Sequence, residues 1–598
     1  MVITILRALP ALQLLLVLLL SCTSVLAQIG LYSVILNSPD TDAAVVVGDH
    51  IYRLFPSEKS SILLQVKAPR GMPYYYAKIK KGTTDIIDKE RFVRAPLTRQ
   101  WTFNEFYNRN WNTKDVQSFK PISGITERHH RAEDDQLHPV GEIATIHVMA
   151  NPEDLKMIHD NFLDDYDIKA NVTHISSTTV RHFINCDFGI SGRTSRYSTK
   201  LPYKIKFPKN GYSLNGFRKV KLRSTQNDPT YMREYLSIEA IRAVNQPATR
   251  GSFVRVFLNQ KAVGILLLVE KYDSTWLEKE FNPQKNASYS NGILYEGHGG
   301  LNDDVRADLS YRGDNFEAYS DTTYEIAEKP KTGEENSYAD LVKFIAFIRD
   351  QQLLQKTGDT ERIASSVSEW EKWIDIEGFL ANIAVEFFFG FCDGYTQNTN
   401  NYYLYKDPYQ KRFVYIPWDF DYNLGNGPFD MEAILTGNYK QYGRLSDLPL
   451  TSAILGVPAY RELFERQLDL VVTGIVDEKS STPVIDSLAD FLRDDIAWDK
   501  TLPRVRAGPN YLTGAIQAFF EGKIEDAAIG PYSMDYLRIP DYVIRLNKNI
   551  DFNVAIDGLT GHPSLLGVKE WFRLKAANYY ARLAYIRPPE KAASVHLN

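Results

Sequence analysis

The residues equipped for chemistry gather between Asp393 and Asp421. Cys392-Asp393-Gly394-Tyr395 follows an apolar run, a polar loop ends in Asn400-Asn401, and a hairpin pattern leads into Pro417-Trp418-Asp419-Phe420-Asp421. A turn near Pro408 or Tyr409 sets Asn401 opposite Pro417 or Trp418. Asn401 and Asp419 then leave the hairpin at the same end, beside the loop of Asp393. Three oxygen-bearing side chains converge, which suits a hard divalent cation with a carboxylate left over as base. A loop Asp, an Asn, a hairpin and a second Asp is also the order of a phosphoryl-transfer site. Singly the residues have plainer readings: Asp393 as a turn former, Asp419 as a cap.

The elements that must position these groups lie on both sides. Upstream, the turn Gly189-Ile190-Ser191-Gly192-Arg193-Thr194-Ser195 precedes a strand Tyr203-Lys204-Ile205-Lys206-Phe207. Alternation puts Tyr203, Ile205 and Phe207 on one face and Lys204 and Lys206 on the other. Asp228-Pro229 predicts an N-cap and first helical position, for a helix carrying Glu234 and Glu239 to about Val244. A hairpin, Phe253–Leu258 and Val263–Val269, ends in Glu270-Lys271. Turn, lysine strand, glutamate helix and hairpin together make a nucleotide-binding lobe. The plainer reading of Lys204 and Lys206 is a solvated strand face, and the turn lacks Gly-x-Gly-x-x-Gly spacing. Residues 282–338, crowded with Asn, Gly, Asp and Ser, predict a long surface insertion. Helical periodicity begins at Tyr338; Ile374–Phe389 reads as a buried helix, and the chain beyond Pro449 is mostly helical.

The whole chain has ordinary globular composition: 598 residues, 44% hydrophobic and 24% charged, with a net charge of -5. No Lys/Arg block marks a nucleic-acid partner. Residues 1–27 read as an export signal, with Arg7 as the positive flank, Leu14–Leu20 as the apolar run and Val25-Leu26-Ala27 at the cleavage positions. The polar C-terminus lacks the hydrophobic tail of a lipid anchor, so the expectation is a secreted chain with no stable membrane anchor. Residues 28–135 are rich in short β-type runs and predict a small antiparallel module. Gly124–Pro139 reads as a linker, and a second unit follows over 140–590. Asn171-Val172-Thr173 and Asn286-Ala287-Ser288 are glycosylation acceptors, consistent with export. Only Cys186 and Cys392 lie beyond the signal, too few for a disulfide scaffold, and their spacing does not say whether they pair. His-Glu-x-x-His, Cys-x-x-Cys, Gly-x-Ser-x-Gly and Walker patterns are all missing from the sequence.

The chain resembles the CotH family, which includes spore-coat kinases of bacilli and proteins of mucoralean fungi. The resemblance is carried by Gly192-Arg193-Thr194-Ser195-Arg196, Lys204-Ile205-Lys206-Phe207, Asp228-Pro229-Thr230-Tyr231-Met232-Arg233-Glu234, Val263 to Lys271, Asn401-Tyr402-Tyr403-Leu404-Tyr405 and Pro417-Trp418-Asp419. It implies an α+β, atypical bilobal protein-kinase-like fold behind the β-rich N-terminal module. It also implies transfer of phosphate from ATP to protein serine, with Mg2+ or Mn2+. Position by position, Asp393 resembles the catalytic Asp, Asp419 the metal-binding Asp and Asn401 a second metal ligand. Lys204 or Lys206 would contact phosphate, with Glu234 as partner, and Glu270-Lys271 would meet adenine. The loop Gly394–Thr399 departs from the kinase pattern in offering no basic residue beside the base. Fungal members also resemble invasins that bind a host-cell receptor. An adhesin, or a pseudokinase with a structural role in a coat or wall, therefore stands beside the secreted kinase.

Overall fold

The protein is described here by a computed structural model over residues 28–126, 137–209, 213–299, 306–319, 323–330, 338–508 and 534–586. The expected export signal at 1–27 and most of the expected linker lie outside these residues. Among the described residues, no helix is long and apolar enough to cross a membrane.

Short alternating runs build the N-terminal module. β1 (Ile29–Ile35), β4 (Phe55–Ser57), β5 (Ser60–Pro69) and β8 (Trp101–Phe106) form one sheet in the order β4-β5-β1-β8. β2 (Asp42–Val47), β3 (His50–Arg53), β6 (Tyr74–Ile79) and β7 (Ile86–Lys89) form the other, ordered β3-β2-β6-β7. Tyr32, Val34, Val45, Val47 and Tyr76 fill a core of their own.

A closed barrel follows, made of β9 (Ala144–Ala150), β10 (Asp167–Ile175), β11 (Val180–Ile190), β12 (Tyr203–Lys206), β13 (Lys219–Arg223), β14 (Gly251–Leu258) and β15 (Lys261–Glu270). Its order is β10-β11-β12-β13-β15-β14-β9, and the parallel pair β9/β14 closes it. Period-two alternation is kept where it was expected: Tyr203, Ile205, Val220 and Leu222 are buried, while Lys204, Lys206, Lys221 and Arg223 take the other face.

The glutamate helix runs Arg233–Ala243, starting later than Asp228-Pro229 predicts. The Asp228 carboxylate instead folds a turn, accepting from the N–H groups of Thr230 and Arg233 at 2.9 Å each and from the Arg233 guanidinium. Tyr231 is left-handed at φ 63, which no helix tolerates, so the helix waits for Arg233.

The stretch expected to be a surface insertion supplies structure instead. β16 (Leu294–Gly297) and β17 (Tyr324–Glu328) join the hairpin β18 (Tyr402–Lys406) and β19 (Phe413–Pro417) in a sheet ordered β17-β16-β18-β19. Both strands are short and sit among turn residues, which hides them in a composition count. The apolar helix Ile376–Phe389 packs against β19, with Phe379 edge-on to Tyr415 at 5.3 Å.

Late helices lock the barrel. From the helix Glu478–Lys500, Asp495 takes Arg255 of β14 at 2.6 Å and Arg109 from the N-terminal module at 3.3 Å. Asp499 accepts from the N–H of Ile265 at 2.8 Å, Lys200 at 2.6 Å and the Tyr231 hydroxyl at 3.0 Å. Gly264 makes room for it: a Cβ there would lie 2.0 Å from Asp499 Oδ2. Ile35, Ile62 and Leu63 of the module pack on Ile175 and Phe257 of the barrel, so the module is docked rather than tethered.

Candidate functional site

The barrel face carrying β13 looks across a cleft at the loops beside the β17-β16-β18-β19 sheet. Ser191, Gly192, Arg193 and Ser195 line one side; Asp393, Asn401, Trp418, Asp419 and Asp421 line the other. Gly192 is needed for the tight turn after β11: it has φ +81, and a Cβ would meet Ser195 Oγ at 2.0 Å.

Asp393 sits just past the C-terminus of the Ile376–Phe389 helix, which ends on left-handed Gly390. Its carboxylate accepts from Asn398 at 2.6 Å, Asn400 at 3.3 Å and Asn401 at 2.7 Å. Removal from bulk water still outweighs those bonds and pushes its pKa up to about 7. The loop is itself held from beneath. The buried Glu386 carboxylate accepts from Thr396 N–H at 2.7 Å and Thr396 Oγ1 at 2.6 Å.

Asn401 and Asp419 emerge from the same end of the hairpin, as the register requires: Tyr402 faces Pro417, and Trp418 N–H donates to the Asn401 carbonyl at 2.9 Å. Both are left-handed at φ 54, a costly conformation for non-glycine residues that concentrates at functional sites. Arg223 binds both Asp419 oxygens, one at 3.1 Å, and holds Glu234 at 2.6 Å. Burial pushes the Asp419 carboxyl up, but Arg223 and Lys221 outweigh it and hold the carboxyl below its usual range. Asp421 moves the other way: burial and the neighbouring Asp419 charge raise it well above normal. Burial likewise raises Glu234 to about 7 despite Arg223.

Lys221 stands 5.1 Å from the Trp418 ring centroid, and burial lowers its pKa to about 8. Among the described residues no carboxylate lies within ion-pair distance of its amine. A cation held without a salt-bridge partner in a cleft is suited to a phosphate.

Of the residues singled out in the sequence, Glu234, Asp393, Asn401 and Asp419 are brought to this cleft. Lys204, Lys206, Glu270 and Lys271 are not. Lys204 pairs with Asp167 at 3.1 Å and Lys206 with Asp187 at 3.7 Å on the outer barrel wall. Lys221 is the direct cross-strand neighbour of Lys204, one strand nearer the acidic loops. Glu270 is fully buried, with its carboxylate beside His138 at 3.2 Å and accepting from Arg250 N–H at 3.2 Å. Lys271 is exposed beyond it. Asn171 is exposed on β10, and Asn286 is exposed in the loop after the helix Ser274–Phe281. Cys186 and Cys392 are both buried free thiols.

Sequence reasoning missed Lys221, Arg223 and Asp421. The signal was present: Lys219-Val220-Lys221-Leu222-Arg223 alternates as cleanly as the strand before it. A further convergence, Glu296, His298 and Glu325, also lines the cleft, with ligand atoms all within 4.8 Å of one another.

A mixed α and β protein with a β-rich N-terminal region and a cleft of acidic and basic side chains is the class these features define. The profile of the family described as CotH kinase protein matches residues 188–504, a span that contains the barrel strands β12–β15, the β17-β16-β18-β19 sheet and every acidic residue of the cleft. The chain belongs to the CotH family. It is similar to spore coat protein homolog 1 of Rhizopus delemar, 24% identical over 75% of this chain and 71% of that protein. It is likewise similar to the invasin CotH2 of the same fungus, 25% identical over 74% of this chain and 71% of the relative. Inner spore coat protein H of Bacillus subtilis is 24% identical over 59% of this chain and 87% of its own length.

Proposed function

We propose that the cleft transfers the γ-phosphoryl group of ATP to a serine hydroxyl of a protein substrate, in a bilobal kinase-like arrangement, and that the protein acts outside the cell that makes it. The observation that carries this is the meeting, in one cleft, of a carboxylate poised near neutrality, an acidic pair and an uncommitted cation. Asp393 receives the serine proton as the serine oxygen bonds to phosphorus; the bond to the ADP oxygen breaks and ADP leaves. With a pKa of about 7, Asp393 is a competent base at physiological pH. Lys221 and Arg193 face the phosphates, Gly192 lets the loop approach them, and Arg223 ties Glu234 to Asp419 so that strand, helix and hairpin stay in register.

The donor set fits a magnesium or manganese ion. It is all oxygen, and Asp419, Asp421 and Glu234 share a single guanidinium, leaving negative charge for a cation to balance. Asn401 spends its NH2 group on Asp393 and keeps its amide oxygen. Asp419, Asp421 and Asn401 would hold the ion, which would neutralise charge developing on the phosphates.

Asp393→Asn keeps size and most hydrogen bonds while removing the base. Phosphate transfer from labelled ATP to a protein acceptor should fall roughly 10²-fold or more, with ATP affinity little changed. Equal transfer by variant and wild type would refute this mechanism. Three of the relatives, all from R. delemar and 22–25% identical, are named invasins, which favours cell-surface binding as a second reading. Adhesion through an outer surface should survive Asp393→Asn, so cell-binding and transfer assays on the same variant separate the two.

A further inference from the structure

A second cavity, of about 300 Å³, lies on the far side of the Gln226-Asn227 segment, and those two residues line both it and the cleft. Its wall is basic. Lys500, Arg504, Arg545 and Lys548 line it, against one lining carboxylate, Asp228. Asp228 is already spent on Arg233 and on two backbone N–H groups. The positive charge of the wall is also poorly balanced from behind. The Asp499 carboxylate is shared between Lys200 and Arg504, two cations for one anion. Lys500 donates to the Ile550 carbonyl at 2.8 Å, a neutral acceptor.

Arg545 is the most telling member. It is 2% exposed, yet no carboxylate among the described residues is within ion-pair distance of it. Its guanidinium donates to Ser564 Oγ at 2.8 Å, Asn227 O at 3.1 Å, Asn426 Oδ1 at 2.6 Å and Ser564 O at 3.1 Å. Those bonds use four of the five N–H donors a guanidinium carries and leave one on Nη1 uncommitted. Burying a cation without a counter-charge is expensive, so such a site is ordinarily completed by an anion. Burial lowers even this guanidinium to about 10.

We infer that this cavity is an anion subsite for a phosphoryl dianion, carried on a phosphoserine side chain of the substrate or arriving as free phosphate. Planar guanidinium groups and flanking lysines match a phosphoryl group. This inference rests on the phosphotransfer reading of the neighbouring cleft. Held there on a peptide, a phosphoserine places an adjoining stretch of chain across Gln226-Asn227 toward Asp393, so one phosphorylation event directs the next.

The test is binding of a phosphoserine peptide, its unphosphorylated counterpart and inorganic phosphate to the full chain by calorimetry. The phosphopeptide should bind at least tenfold more tightly than its serine form. Lys500→Met/Lys548→Met should erase most of that preference; the exposed Lys548→Met alone, which does not threaten the fold, should reduce it. Phosphate alone binding as tightly as the phosphopeptide assigns the site to the free ion, and weaker binding assigns it to the side chain. Equal affinity for the two peptides with no measurable phosphate binding, or a preference untouched by both variants, overturns the inference. Asp393→Asn should keep the phosphopeptide preference, so a failure of the catalytic reading leaves this result standing.

Discussion

At Glu386 the physics of the site is concentrated in one carboxyl group. It is wholly buried on the Ile376–Phe389 helix and fixes the loop of Asp393 through Thr396, and burial raises it to about 7. Its pKa in the unfolded chain is near 4.3. Between those values the folded state binds more protons than the unfolded one, so stability falls as pH rises through the window and levels off above it. Over that interval the group alone contributes a loss on the order of 3 kcal/mol. Glu386→Gln keeps an acceptor for Thr396 and removes the titration. Urea unfolding of this variant between pH 5 and 8 should show a shallower decline than wild type, and an identical slope would mean Glu386 does not titrate there. Because Thr396 loses little, phosphate transfer by the variant should stay within a few-fold of wild type.

The elements meet at Arg223, where strand β13, the helix Arg233–Ala243 and the hairpin end are joined by one side chain. Arg223→Met would leave Glu234, Asp419 and Asp421 facing one another with no guanidinium between them. Removing one partner of a buried ion pair costs about 3–5 kcal/mol, and the unfolding midpoint in urea should fall accordingly at unchanged slope. Adding Glu234→Gln should recover part of the loss, since one of the stranded charges is gone; additive losses would show that the three groups are not coupled. Much of this arrangement was legible beforehand. The hairpin register placed Asn401 and Asp419 at one end, and alternation separated Tyr203 and Ile205 from Lys204 and Lys206. Period two cannot say which of two adjacent lysine strands faces a distant loop, so Lys221 and Arg223 were passed over for Lys204 and Lys206. Strand order is a property of the closed barrel, fixed by pairings such as β13 with β15 that leave no local trace. The four-residue strand Leu294–Gly297 was hidden for a related reason: its partner Tyr402–Lys406 lies more than a hundred residues away.

Across the whole molecule, the N-terminal module and the barrel share buried charge as well as apolar surface. Asp495 lies between Arg109 of the module and Arg255 of β14, and Phe106 packs edge-on to Trp498 at 5.6 Å. Two bodies joined this way should unfold together. Calorimetry should give one cooperative transition for the chain, and Asp495→Asn, which strands two arginines, should lower stability by about 3–5 kcal/mol. A separate early transition for the module would show that the shared charges do not couple them. The seat made by Gly264 reaches further than stability. It receives a carboxylate that lies 234 residues beyond Ile265, and Lys200 is buried against that same group. On the ribosome, β15 emerges long before Asp499 exists, and a barrel closed early would entomb the Lys200 ammonium beside an empty hollow. Closure of the barrel therefore waits for the helix that carries Asp499, however early its strands are made.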